Sequence, residues 1–550
     1  MKTAYQKFVL FSMMITIFIS CSNNNKQDKI HFDKALKNGY LVNEGFTRSL
    51  NYVTDWLTYT DSLSGLIPEN LSGGKNVWNA HNSAADNYPF MVLTSYLLDK
   101  ELFNGQMLDI LNTERKLTSR LGSLPDSYSF TKQDFLKTEI DTSQIIFGTS
   151  EYIKDGLIPL TEYIGSSPWS DRMLEMLDDL SQHMDVIKNM EGKFYGNSVE
   201  TEINGEMLQT LSRIYWMTKD EKYLNWAIKI ADYYLLENPE KILHSEQFRL
   251  RDHGCEIIGG LSEIYATLHF VNKDKKGLYQ KKIHEIFERI LDIGRNEDGM
   301  FYNEINMTTG AIVDTNIVDN WGYIYNAYYT IYLLDNNIDF LHAVQKPLKL
   351  LNEKYRNFNW ENKGSDGFAD AIESGINLYN RERIPELEKW INSEIKLMWS
   401  IQDSSFRDNA KKWKNTGIIE GWHGDGNFAR TTIMYCLWKT IDVTAVPWNE
   451  DLIFGSEEKE GVLHISLKSK RDWEGTLFLG TERHKDIFNL PVDYPRINQF
   501  PEWFTIKNDE YYSLEINYKS SNIEGKRLKE GIKLIAKKDI PYLIKVTKLN

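Results

Sequence analysis

Six stretches of this chain each place a carboxylate at the start of an apolar helical run, and four of the six add Trp or His. They are Trp78–Tyr88, Glu200–Glu206, Arg251–Glu256, Asp314 with Val318–Tyr323, Asp366–Asp370 and Trp422–Asp425. A lone acid in such a place caps a helix or faces its dipole. Glu206 and Glu256 ask for more, because each sits one turn inside an apolar run, before Met207-Leu208 and Ile257-Ile258. Each also has an acid four residues earlier on the same helix face, Glu202 and Asp252 respectively. An apolar wall raises the pKa of a carboxyl and makes it a proton donor, while a polar setting keeps its partner ionised. On that logic Glu256 is the candidate acid, with Glu206 a close rival. Asp252, Asp319 and Asp425, at solvated loop ends beside His253, Asn320 and His423, are the candidate ionised partners.

A pair of carboxyl groups across one bond is what glycoside hydrolysis requires. The neighbouring residues suit a sugar. Trp78, Trp321 and Trp422 offer flat faces for rings, and Asn82, Asp86 and Asn87 offer polar groups for hydroxyls. His81, His253, His423, Arg251 and Arg430 can bind the carboxylate of a uronic acid. The chain shows no metal-ligand spacing, no nucleophilic-serine elbow and no phosphate loop, so neither metal nor cofactor is expected.

These residues need a scaffold that brings loop ends together. From about residue 42 to 444 the sequence alternates between two kinds of helix. One kind is amphipathic and charged, as in Glu101–Arg120, Asp171–Met190 and Lys281–Gly294. The other is rich in apolar and small residues and follows a polar, aromatic loop, as in Ala84–Leu98, Thr201–Trp216, His253–Phe270 and Asp425–Lys439. Charged helices outside and apolar helices inside predict a mostly α fold, an α/α toroid of six to seven hairpins over residues 42–446. Because every polar loop precedes an inner helix, the loops of a closed toroid converge on one mouth. Gly421, Gly424 and Gly426 let the last of these loops turn tightly. Trp78, Asp86, Glu206, Glu256, Asp319 and His423 are expected to line one cavity there.

After Pro447-Trp448-Asn449 the pattern changes to β-type runs such as Val462–Leu467 and Tyr511–Tyr518. Residues 451–550 read as a small antiparallel β-sandwich domain. Within them Asn489–Phe504 is an extended Pro- and aromatic-rich segment, read as a loop packed on the toroid, with Arg496 or Trp503 as the residues that could reach the cleft.

At the other end, Lys2 and Lys7 precede an apolar Phe8–Ile19 and then Ser20-Cys21. This is a secretory signal over residues 1–20, too short to span a bilayer as a mature segment. The small residue before Cys21 resembles a bacterial lipobox, which implies cleavage and lipidation at Cys21. Residues 21–41, opening SNNNKQDK, read as a flexible tether. With few acids beside Cys21, the expected location is the outer membrane, facing the periplasm. Cys255 and Cys436 lie in apolar runs and read as buried thiols. The formal charge of −14 argues against nucleic acid as a partner.

SAADNYPF, WHGDGNFAR and the other helix junctions, on a chain with a lipobox and a β-rich tail, resemble α/α-toroid carbohydrate-active enzymes of Bacteroidetes-type glycan-utilisation systems. The similarity is to unsaturated-glucuronyl hydrolases and exo-β-glucuronidases. It implies a glycoside hydrolase acting on acidic, glucuronic-type oligosaccharides. Two other readings stay open: a toroid-plus-sandwich polysaccharide lyase with His or Tyr as base, and a glycan-binding lipoprotein without turnover.

Overall fold

The computed structural model describes residues 2–183, 193–194, 197–251, 254–403, 417–421 and 423–549, with side-chain surroundings from residue 28 onward except 193–199. Asp252, His253 and Trp422 lie outside the described residues. The chain is mostly helical, with separate β-sheets towards the C-terminus. It divides into two compact units, residues 1–47, 435–482 and 502–550 in one, and residues 48–434 and 483–501 in the other. Among the described residues no helix is long and apolar enough to cross a membrane.

The larger unit is built from helices of two characters. Helix Glu256–Val271 is buried on every side from Glu256 to Leu268. Helix Lys273–Ile293 buries only the stripe Tyr279, Ile283, Ile286, Phe287 and Ile290. The spacing of that stripe is one helical face, so this helix covers its neighbour and turns its charges outward. The inner helices pack in chain order. Thr142–Glu151 contacts the π-helical stretch Ala80–Asn87 and then Val199–Thr218, which lies on Glu256–Val271. Trp321–Asp335 and Ser365–Arg381 follow. The helix that begins at Asn427 bonds back to this last one, with Asn427 Nδ2 donating to Asp366 Oδ1 at 2.6 Å and Thr431 Oγ1 to Ala369 O at 3.1 Å. The loop before it rests on the first stretch, since a Cβ on Gly426 would lie 2.3 Å from Asp86 O. The path of inner helices therefore returns to its start.

One crossing is tight enough to need glycine. A Cβ on Gly205 would sit 2.4 Å from the Glu256 carbonyl carbon, and one on Gly260 would sit 2.5 Å from Gly205 O. Helices Val199–Thr218 and Glu256–Val271 thus meet backbone to backbone, which fixes the position of Glu256.

The smaller unit holds two antiparallel sheets. One has strands in the order 452–459, 462–469, 542–548, 511–516, 519–524, and the other 444–446, 473–478, 532–536. The first hairpin turns through Glu460 and Gly461, both at positive φ, as a two-residue hairpin turn requires. Residues 532–536 alternate buried and exposed, the period of a strand with one covered face.

Two boundaries differ from the sequence expectation. Residues 21–41 are not a loose tether, because they lie within the helix Lys2–Leu57. From Asp28 on, their side chains are packed. Phe32, Ala35, Val42 and Phe46 are buried at helical spacing, Ser466 Oγ donates to Phe32 O at 2.7 Å, and Gly39 lies against Gly455, where a Cβ would come within 2.3 Å of Gly39 N. The second difference is that residues 483–501 belong to the helical unit although β-strands precede and follow them. Arg496 does not reach a cleft rim. It is buried in an ion pair with Glu162 and another with Asp493 at 3.0 Å. Trp503 belongs to the β-rich unit.

Candidate active site

A cavity of about 690 Å³ opens inside the helical unit, walled by residues from most of its inner helices and the loops before them. Of the residues singled out from sequence, His81, Asn82, Asp86, Arg251, Glu256, His423, Asp425 and Arg430 line it. Others do not. Trp78 is buried in a short strand paired with Tyr128, and Trp321 packs edge-on against Trp390, so neither presents a face to a ligand. Asn87 is buried and accepts the Tyr52 hydroxyl at 2.6 Å. Asp319 turns back to accept its neighbour's amide, Asn320 N, at 2.9 Å and is not in the lining. Glu206 is fully buried behind the wall.

The sharpest correction concerns Asp425. Its setting between glycines and His423 reads as a solvated loop end, yet the residue is 1% exposed, with the Ser365 hydroxyl and the Phe428 amide as the donors near its carboxylate. Burial, and then the Asp366 carboxylate nearby, push its pKa up to about 7. The physical reason lies in the fold: the Gly424 loop is wedged against Trp56 and Asn87, where a Cβ would come within 2.4 Å. Asp425 therefore holds a proton where an ordinary aspartate would not. His423 stands beside it, its Nδ1 at 3.0 Å from Gly424 O and its Nε2 at 3.5 Å from Asp86 Oδ2. Burial alone would lower the pKa of this imidazole, but Asp86 and Asp366 outweigh it and the net direction is up.

Glu256 lines the cavity between two donors. Its Oε1 accepts Lys154 Nζ at 2.7 Å and its Oε2 accepts Gln209 Nε2 at 2.5 Å. Burial pushes its pKa up, Lys154 and Gln209 pull it back, and the net direction is up, as expected of a carboxyl in an apolar wall. Lys154 is itself buried, bridging Glu256 and Asp155 at 2.7 Å each. Glu206 sits deeper, facing Glu151 and Asp155, and burial followed by Glu202 raises its pKa well above the carboxylate range. Oxygens of Glu151, Asp155 and Glu206 lie within 4.8 Å of one another, a spacing that a hard cation can bridge, although Lys154 already stands beside them.

A third group surrounds Arg430. Its Nη2 lies 2.7 Å from Asp370 Oδ1 and 2.8 Å from Glu373 Oε2, and its Nη1 donates to Asn427 Oδ1 and Asn498 Oδ1 at 2.8 and 2.9 Å. Tyr323 donates to both carboxylates at 3.0 Å. Burial raises Asp370 well above its ordinary range, against the pull of Arg430. This knot occupies the Arg430 fork with protein acids, so Arg430 shapes the wall and is not available to grip a substrate carboxylate. Arg249 ends the short strand Phe248–Arg249 that pairs with Tyr302–Ile305, Arg251 follows two residues on, and both put further positive charge on the lining.

Glu151, Lys154 and Asp155 escaped the sequence reading although they had a signal, three charges inside the apolar run Ile145–Leu160. Asn498 had none, since only the return of residues 483–501 to the helical unit brings it into the wall.

No protein-family model matches the chain, and no curated relative does. Its likenesses among solved structures are α/α-toroid carbohydrate-active enzymes. The α-1,6-mannanase GH76A of Salegentibacter sp. matches at 11% identity and a TM-score of 0.39, over 71% of this chain and 98% of that one. A cellobiose 2-epimerase from Bacillus thermoamylovorans matches at 14% identity and 0.38, over 56% and 86%. An unsaturated glucuronyl hydrolase specific for heparin matches at 12% identity and 0.35, over 53% and 84%. Likenesses at this level transfer neither a substrate nor a catalytic residue.

Proposed function

We propose that the helical unit is a glycoside hydrolase acting on uronic-acid-containing oligosaccharides of the glucuronic type. The observation that carries this reading is the pairing of a buried, proton-holding Asp425 with Asp366 in one cavity. Asp366 accepts Asn427 Nδ2 at 2.6 Å, which fixes its carboxylate in the wall. Asp425 then delivers its proton to the glycosidic oxygen, while Asp366 takes the part of the anion that activates water or attacks the sugar carbon. His423 and Asp86 steady the charge around them. Arg249 and Arg251 supply charge-assisted donors for the uronate carboxylate. The lyase reading is less favoured by Tyr323, the tyrosine in the lining. Burial and two carboxylates hold its hydroxyl protonated, which disqualifies it as a base.

The test is a panel of uronic-acid oligosaccharides with neutral ones as controls. Release of a free uronic acid without new ultraviolet absorbance is the expected result. Absorbance from a new C=C bond in an intact substrate would make the protein a lyase, and binding without turnover would make it a glycan-binding protein.

Cys21, behind Lys2, Lys7 and the apolar Phe8–Ile19, is the lipid-bearing first residue of the mature chain in this proposal, which holds the enzyme at the outer membrane facing the periplasm. Mass spectrometry that finds an unmodified N-terminus elsewhere sinks the anchor. Release by protease from whole cells overturns the orientation.

A further inference from the structure

Asn498 reaches the cavity from residues 483–501, far along the chain from the other wall residues. It is 3% exposed, and its backbone is left-handed at φ 59, a conformation that Asn tolerates better than most residues. Its polar groups are all engaged. The backbone N–H donates to Glu373 Oε1 at 2.7 Å, Oδ1 accepts Arg430 Nη1 at 2.9 Å, and Nδ2 donates to both Asp155 O and Asp155 Oδ1 at 3.1 Å. One amide therefore joins two charged groups on different inner helices. Arg430 is held on one side of it, and Asp155, which shares Lys154 with Glu256, on the other.

The segment around Asn498 is tied down independently. Tyr494 O–H donates to Glu263 Oε2 at 3.0 Å, Arg381 pairs with Asp493 at 2.6 Å, and Arg496 pairs with Glu162. These ties reach three different helices and hold residues 493–496 in place just before Asn498.

We infer that Asn498 is a positioning residue of the cavity, and that residues 483–501 are a working part of the active site though they lie beyond the hairpins. The catalytic part of this inference rests on the proposed function. Asn498→Ala removes the acceptor from Arg430 and the donor from Asp155 while leaving the backbone bond to Glu373. Asn498→Asp keeps the acceptor for Arg430 and sets a carboxylate against Asp155, so it separates the two contacts.

The experiment combines crystal structures of the wild type and both variants with kinetics on a uronide. In Asn498→Ala the Arg430 fork should rotate off Asp370 and Lys154 should shift. In Asn498→Asp only the Lys154 side should move. Misplacing wall groups by about 1 Å should lower kcat roughly 10²-fold with little change in KM or melting temperature. If the alanine variant does not fold, the aspartate variant carries the Lys154 displacement and the kinetic readout. Unmoved Arg430 and Lys154 side chains in Asn498→Ala, an unmoved Lys154 in Asn498→Asp, or unchanged kcat with wild-type pH dependence would overturn the inference. If the wild type cleaves no uronide, the proposed function fails, and the crystal structures alone decide whether Asn498 sets the wall.

Discussion

Asp425→Asn should change stability and activity in ways that no merely structural aspartate would. The carboxyl is buried, and burial and the Asp366 carboxylate push its pKa from 3.8 to about 7 against the weaker pull of His423, Ser365 and the Phe428 amide. The unfolded chain releases this proton near pH 4, and the folded chain keeps it to about pH 7. Between those values the native state binds more protons, so stability is full below the lower pKa and falls as pH rises to the upper one. At about 1.4 kcal/mol per pH unit, the loss is at most about 4 kcal/mol, less whatever water in the cavity screens. Asparagine has the shape of the neutral acid and nothing to ionise. The variant should match the wild type in denaturant below about pH 4, exceed it by about 1–2 kcal/mol at pH 5 and exceed it by a few kcal/mol at pH 8. Meanwhile kcat on a uronide should drop by about 10²–10⁴-fold, and wild-type kcat/KM should fall tenfold per pH unit above about 7. The reasoning is refuted if the variant loses stability with pH as steeply as the wild type, or keeps near-full activity.

Lys154→Met leaves Glu256 and Asp155 facing each other in a buried site, and should cost about 3–5 kcal/mol in denaturant titrations at neutral pH. Arg251→Ala should raise KM for uronides by about tenfold or more and leave kinetics on any neutral sugar it accepts unchanged, as initial rates on matched substrates will show. Gly205→Ala improves helix propensity by up to about 1 kcal/mol, yet its Cβ would meet the Glu256 backbone at 2.4 Å. A net loss of stability, with activity falling more than melting temperature, is expected. A variant more stable than the wild type would show that the two helices part freely.

How much could be read beforehand depended on whether a property was local. The alternation of striped and fully apolar helices is local, and of the six residues it assigned to one cavity, Asp86, Glu256 and His423 line it, while Trp78, Glu206 and Asp319 do not. Protonation is not local. Asp425 looks solvated between Gly424 and Gly426, and only Trp56, Asn87 and Asp366, from three other segments, bury it and raise its pKa. Glu256 looks like a stranded acid until Lys154 arrives from another helix. The helix through residues 28–41 was legible in the spacing of Phe32, Ala35, Val42 and Phe46, but the polar run just before it masked that stripe. Asn498 depends on a chain reversal that no periodicity announces.

The π-helical stretches Ala80–Asn87 and Tyr152–Leu157 carry His81, Asp86, Lys154 and Asp155, and they touch where Gly156 leaves room beside Pro89 and Ala85. In each, an amide reaches five residues back, Ala84 to Asn79 and Ile158 to Ile153. Such a turn accommodates one residue more than an α-helical turn. Losing that residue would restore ordinary pairing at little cost, but would rotate everything beyond it by about 100° and sweep the charged groups out of the wall. Related chains should therefore differ here by gaps as well as by substitutions. Those that lack the extra residue should keep the helices and carry a different chemistry, or none.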